Sequence, residues 1–134
     1  MSAWEVLVAD DHAIIRDGLR NILADTSDFV VAGEASNGNA ALAAVRERNW
    51  DVVILDISMP GRNGLELIKL IRQERARLPI LIFSMHQEEQ YAVRALRAGA
   101  SGYLSKEGDM DLLLPALRKL VGGGRYISPK VAEL

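Results

Sequence analysis

The chain has 134 residues, 49% hydrophobic and 25% charged, the balance of one globular domain with a core of ordinary size. Its net charge of -2 leaves no basic footprint for nucleic acid, and the lack of cysteine excludes disulfides and thiolate metal sites. The N-terminus MSAWEVLVADD has no basic start leading into an apolar signal core, and no apolar run approaches the ~20 residues that span a bilayer.

An apolar run at 5–9 predicts a buried strand that ends in two adjacent carboxylates, Asp10 and Asp11. Such like charges repel, and burying either is costly without a partner. Ile15, Leu19, Ile22 and Leu23 then follow helical spacing. A second run, 29–35, leads into Ser36-Asn37, a turn and helix cap ahead of Ala41 and Val45. The third run, 52–55, delivers Asp56. Its loop, ISMPGRNG, carries Pro60, Gly61 and Gly64, which fix a tight turn before Leu65, Ile68 and Ile71.

The fourth run, 80–83, delivers Ser84. Val93, Leu96 and Ala100 carry a weaker helical pattern, with Gly99 as its stop. The fifth run, 102–104, delivers Ser105 and Lys106, and Leu113, Leu117, Leu120 and Val121 mark the last amphipathic helix. Gly122-Gly123-Gly124 ends that helix in a flexible joint. Tyr126 and Ile127 are expected to pack back on the domain, and Ser128-Pro129 to open another helix.

Most of the runs lack polar alternation, as strands buried on both faces of a parallel sheet do. Strand and helix alternate five times, so the fold class is α/β, a doubly wound five-stranded parallel sheet with right-handed crossovers. Ligands of such folds bind outside the carboxyl ends of the strands. Three carboxylates (Asp10, Asp11, Asp56), the hydroxyl of Ser84 and the ammonium of Lys106 therefore share one rim.

Carboxylate oxygens without sulfur or clustered imidazole suit a hard cation, and Mg2+ is the natural choice. One aspartate is then available to attack a phosphoryl group and form an aspartyl phosphate. Asp56 is best placed, because partners flank its strand on both sides. Lys106 and the metal would neutralise the phosphoryl oxygens, Ser84 would donate to one of them, and the tight turn would aim the Ser58 carbonyl at the metal.

Plainer readings stand beside these. One of Asp10 and Asp11 also serves as a helix cap. Tyr103, taken alone, is core packing. His12 is read as a helix-start residue and His86 as loop, and Arg16, Arg62 and Arg72 as ordinary surface charges.

The set Asp10-Asp11, Asp56 within DISMPGRNG, Ser84 and Lys106 resembles the receiver domain of two-component response regulators, of flavodoxin-like (CheY-like) fold, from Trp4 to about Leu120. ADDHAIIRDGLRNIL, DISMPGRNGLELI, AGASGYLSK and GGGRYISPKVAEL are similar to the LuxR/NarL-type transcription regulators. The resemblance implies phosphotransfer from a sensor histidine kinase to Asp56. It implies Mg2+ at Asp11, Asp56 and the Ser58 carbonyl, with Asp10 acting through water. Ser84 and Tyr103 would be the switch pair, and the fourth helix, fifth strand and fifth helix the output or dimerisation face, so that a homodimer is one expected partner.

Two features depart from the family pattern. Glu107 stands where many receivers have proline, so no cis peptide is expected after Lys106. Met85 stands where a small residue is usual, and its bulk is expected to hinder water and lengthen the life of the phosphoryl group. Ser58 and His86 occupy positions that, by resemblance, also tune that lifetime.

The expected organisation is a receiver at 1–121 and a linker segment at 122–134. In the LuxR/NarL type, similar sequence leads into a helix-turn-helix domain that binds DNA and is missing here, so the chain is read as a shortened form. It is expected to be a cytoplasmic signalling switch without a membrane partner, and not a turnover enzyme. A stand-alone receiver that docks a protein is the alternative. An aspartate-nucleophile phosphatase of the haloacid dehalogenase type would place D-x-D after the first strand, where this chain has Asp10-Asp11-His12. A nucleotide-binding domain lacks its G-x-G-x-x-G or P-loop pattern.

Overall fold

The computed structural model describes residues 3–61, 63–85, 89–106, 110–127 and 132–133. The strands are β1 (Trp4–Ala9), β2 (Phe29–Ala35), β3 (Val52–Leu55), β4 (Ile80–Ser84) and β5 (Gly102–Ser105). They alternate with the helices α1 (Ala13–Ala24), α2 (Gly38–Glu47), α3 (Gly64–Glu74), α4 (Glu89–Ala98) and α5 (Leu113–Val121). All strand pairs are parallel, in the order β2-β1-β3-β4-β5. The chain reverses direction across the sheet between β1 and β3, which opens a crevice at their carboxyl ends.

The two-residue period of the strands divides the core into two layers. Leu7 and Ala9 of β1, Val53 and Leu55 of β3, and Ile80 and Ile82 of β4 face α2, α3 and α4. Val6 and Val8, Val52 and Ile54, and Leu81 and Phe83 face α1 and α5. Every residue of β3 and β4 is buried, which is why those segments read as unbroken apolar runs.

Four helices follow the expected pattern. Leu19 and Leu23 bury one face of α1, and Leu113, Ala116, Leu117 and Leu120 that of α5. The Asn37 side chain caps α2 by accepting from the Ala40 N–H at 2.8 Å, and Asn63 caps α3 in the same way. In α4 the buried positions are Ala92 and Ala95, whereas Val93 and Leu96 are half-buried. The helix rests on its smallest side chains, so the larger apolar residues misreported its inner face. Gly99 ends it at φ 125°, a conformation open to glycine.

β1 starts one residue earlier than the sequence indicated, and β4 and β5 each run one residue further, to Ser84 and Ser105. In the tail Tyr126 packs back as expected and Ile127 does not. Tyr126 pairs with Gly102 in a parallel bridge, donates its N–H to Ser101 at 3.0 Å, and packs on the layer beneath α5. Ile127 stays 39% exposed. Arg62, His86, Glu107 and Ser128-Pro129 lie outside the described residues. No helix among the described residues is long and apolar enough to cross a membrane.

Candidate functional site

The sheet ladder itself sets the site. The Asp10 N–H donates to Ala35 and the Asp56 N–H to Ala9, both at 2.9 Å, while the Lys106 N–H donates to Ser84 at 2.7 Å. Each residue stands one position past the end of its strand and is still held by a sheet-type hydrogen bond. Asp10 and Asp56 therefore flank the crevice where the chain reverses.

Their side chains are buried: Asp10 is 2% exposed and Asp56 1%. Lys106 bridges them, with Nζ 2.5 Å from Asp10 Oδ2 and 3.2 Å from Asp56 Oδ2. Asp56 Oδ1 accepts from the Ser58 N–H at 3.0 Å and from Ser58 Oγ at 2.8 Å. Asp10 Oδ1 accepts from the His12 N–H at 2.8 Å. Asp11 turns toward solvent, with its side chain 31% exposed.

Ligand atoms of Asp10, Asp11, His12 and Asp56 lie within 4.8 Å of one another. Three carboxylates share this space with one ammonium, so negative charge is in excess. An oxygen-donor set of that charge, open to water at Asp11, fits a hard divalent cation that keeps part of its water shell.

The loop after β3 is pinned in place. Ile57 and Met59 bury their side chains in the core, and the Pro60 carbonyl accepts from the Gly38 N–H at 3.0 Å. Gly61 adopts φ 104°, and a Cβ at Gly64 would lie 2.4 Å from the Ile57 carbonyl oxygen. Only glycine fits that approach, so Gly64 fixes the path that presents Ser58 to Asp56.

The structure thus brings together Asp10, Asp11, Asp56, Ser58 and Lys106. Ser84 is fully buried at the end of β4. Met85, next to it, is 51% exposed at the rim. Tyr103 is half-buried on β5 and packs against the core layer beneath α4.

Neither carboxylate of the pair is the cap of α1. His12 holds that position, with Nδ1 3.1 Å from Asp10 Oδ1 and 3.2 Å from Asp11 Oδ1. Two arginines are not the surface charges the sequence suggested. Arg16 donates from Nη1 to the Asp10 carbonyl at 2.7 Å and from Nε to Glu34 at 3.1 Å, which ties α1 to the site. Arg72 donates to the carbonyls of Gly99, Arg75 and Ala76 and so closes the end of α3 against α4. Burial and the nearby Arg125 charge lower its pKa. The only sequence signal for Arg16 was its place one turn into α1, on the side facing the strand ends.

Comparison with known proteins agrees with this geometry. The family described as response regulator receiver domain matches residues 6–118. The transcriptional regulatory protein DegU of Brevibacillus brevis is 39% identical over 129 residues, covering 96% of this chain and 55% of DegU. A two-component response regulator of the LuxR family from Aurantimonas superposes with a TM-score of 0.90 at 36% identity, covering 98% of this chain and 94% of that one. RcsB of Salmonella typhimurium, a response regulator described for its DNA interaction, gives a TM-score of 0.90 at 29% identity, over 99% of this chain and 65% of RcsB.

The chain belongs to the response regulator receiver family. The relatives DegU, GacA and UvrY are response regulators of the LuxR/NarL type, and the Aurantimonas neighbour is of the LuxR family. It spans 55 to 60% of the length of the first curated relatives it matches.

Proposed function

We propose that the domain accepts a phosphoryl group on Asp56 from a sensor histidine kinase. The observation that carries this is the environment of Asp56. The carboxylate is buried at the crevice, one oxygen is held by Ser58 and the other faces Lys106. It is aligned and kept apart from bulk water, as a nucleophile should be. An Asp56 oxygen would bond to phosphorus as the bond from phosphorus to the kinase imidazole breaks. Lys106 and Ser84 would then stabilise the charge on the phosphoryl oxygens.

Asp11, Asp56 and the Ser58 carbonyl would hold Mg2+ directly, and Asp10 through water. When bound, the metal supplies positive charge that offsets the acidic cluster and the phosphoryl oxygens.

Phosphorylation would shift a pre-existing equilibrium of the face formed by α4, β5 and α5, with Ser84 and Tyr103 as the switch pair. That face would serve output or homodimerisation. Residues 1–121 would form the receiver, and 122–134 a linker toward a helix-turn-helix domain through which a cytoplasmic transcription regulator contacts DNA. The shared length with DegU and the DNA interaction described for RcsB support this reading.

The test is intact mass after incubation with a small acyl phosphate, with and without Mg2+, on wild type and Asp56→Asn. The expected result is a Mg2+-dependent gain of one phosphoryl group that the substitution abolishes. No gain in a protein that still binds Mg2+ would overturn the phosphoacceptor role.

A further inference from the structure

The ends of the strands opposite the acidic site frame a second cleft, of about 870 Å³. Its floor is the amino ends of β1, β3, β4 and β5. The turn from α3 into β4 walls one side, and the end of α5 with the glycine joint walls the other. Such a volume lies in the range of small-molecule sites.

Four guanidinium groups line it: Arg72, Arg75, Arg77 and Arg125. Elsewhere Arg16, Arg20, Arg46, Arg48 and Arg118 each hold a carboxylate. None of the cleft arginines does so among the described residues. Among the described residues the others without a carboxylate, Arg94 and Arg97, lie apart on α4, where Arg94 stacks over Tyr91.

Arg72 is committed to the carbonyls that end its helix. Among the described residues Arg75 meets only the carbonyls of Glu74, at 3.2 Å, and Arg46, at 3.5 Å, and its Nε is buried without a partner. Arg125 reaches one carbonyl, that of Ala100, at 3.4 Å. Arg77 has no hydrogen bond or ion pair among the described residues. The two carboxylates of the lining are already engaged: Glu74 accepts from Arg46 through both oxygens, and Asp51 accepts the Glu5 N–H at 2.6 Å. Four guanidinium groups thus line the cavity against two carboxylates, of which Glu74 is paired with Arg46, so positive charge is in excess there.

Both tryptophans of the chain, Trp4 and Trp50, also line it. Trp4 is 44% exposed. Trp50 is fixed by a 2.9 Å hydrogen bond from Nε1 to the Ala44 carbonyl, and its ring packs over Gly33, where a Cβ would lie 2.5 Å from Cη2. The cleft therefore offers both indole surface and guanidinium forks. Guanidinium forks match phosphate oxygens in pairs, and several unpaired ones call for a multiply charged anion.

We propose that this cleft is a binding site for a small phosphorylated ligand bearing a planar ring, of the nucleoside diphosphate class. Arg75, Arg77 and Arg125 would hold the phosphates, and the ring would rest against Trp4, the exposed indole. Because Gly123, Gly124 and Arg125 form one wall, occupancy would also fix the segment that leaves the domain.

Both reporters are native, so intrinsic tryptophan fluorescence reads the cleft directly. The whole chain is titrated with ADP, inorganic pyrophosphate and adenosine, without Mg2+ so that the acidic site recruits no phosphate. ADP should give a saturable change, pyrophosphate a weaker one and adenosine none. Arg77→Gln and Arg125→Gln should each weaken ADP binding about tenfold, the loss expected for one charge-assisted contact. Arg94→Gln, outside the cleft, should not alter it.

Absence of saturable binding by ADP and pyrophosphate, or a response that survives both substitutions together, would overturn the site. Equal affinity for the two would overturn the role of the Trp4 indole. An acidic peptide or duplex DNA that competes better than ADP would overturn the assignment to a small ligand.

Discussion

Lys106 and Asp10 form an ion pair of 2.5 Å whose side chains are only 4% and 3% exposed. The same ammonium reaches Asp56 at 3.2 Å, so one cation serves two buried carboxylates. Removing one partner of a buried pair leaves the other charge unpaired, at a cost of about 3–5 kcal/mol. Lys106→Met is therefore expected to lower stability at neutral pH by about 3 kcal/mol, read from urea unfolding. A change under 1 kcal/mol would mean that water reaches the pair.

Asp11 sits differently, because its side chain reaches solvent and meets His12 instead of Lys106. Asp11→Asn should change the stability of the metal-free protein by less than about 1 kcal/mol, as surface charges do. It should, however, remove most of the stabilisation that Mg2+ gives the wild type. Saturating a site at about 100 times its dissociation constant adds about 2.7 kcal/mol. Thermal unfolding with and without Mg2+ checks both halves, and equal Mg2+ stabilisation in the two proteins would remove Asp11 from the metal set.

Gly64 is held by sterics alone. A Cβ there would lie 2.4 Å from the Ile57 carbonyl oxygen and 2.6 Å from Ile57 Cβ. Gly64→Ala must displace the backbone of the loop that carries Ser58. The expected cost is about 1–3 kcal/mol, the range for overpacking, with slower phosphorylation by an acyl phosphate. Unfolding midpoints and phosphorylation rates measured on one preparation separate the two effects. Wild-type values for both would show that the loop yields freely.

The sheet and its rim were legible because buried parallel strands are written as unbroken apolar runs, and Asp10, Asp56, Ser84 and Lys106 each stand at the end of one or just past it. The Asn37 cap was legible for a local reason, its reach to the Ala40 N–H. Long-range placements were not. Arg16 acts through the carbonyl of Asp10 and Arg72 through that of Gly99, and a backbone acceptor leaves no mark in sequence. In α4, pattern weighted by side-chain size pointed to Val93 and Leu96, but close packing selected Ala92 and Ala95.

Asp28 and Arg118 join the start of β2 to α5. The hydrogen bond from Arg118 holds the Asp28 carboxyl below its ordinary 3.8. A depressed folded-state value means that the unfolded chain takes up the proton first as pH falls. The pair's contribution is thus present above about 3.8 and is lost as pH drops through the lower folded value. Asp28→Asn should lower the neutral plateau slightly, leave stability below that window unchanged, and so flatten the acid limb between them. Both groups reach solvent, so high salt should shrink the difference between the two proteins. An identical acid limb in wild type and variant would remove the pair from the pH dependence.

Met85 follows the buried Ser84 and is itself 51% exposed, so it stands at the mouth of the crevice and not in the core. Hydrolysis of an aspartyl phosphate needs a water on the open side of the phosphorus. A long, flexible thioether at that mouth covers part of the approach without giving the water a strong hydrogen-bond acceptor. Trimming it should let water in. Met85→Ala is therefore expected to accelerate loss of the phosphoryl group severalfold. Folding should be nearly unaffected, since little buried apolar surface is removed. The decay is followed by intact mass after the phosphoryl donor is removed, with Mg2+ held constant. If the decay rate matches wild type, the side chain stands clear of the water's path, and the lifetime is set by other groups around the phosphoryl site.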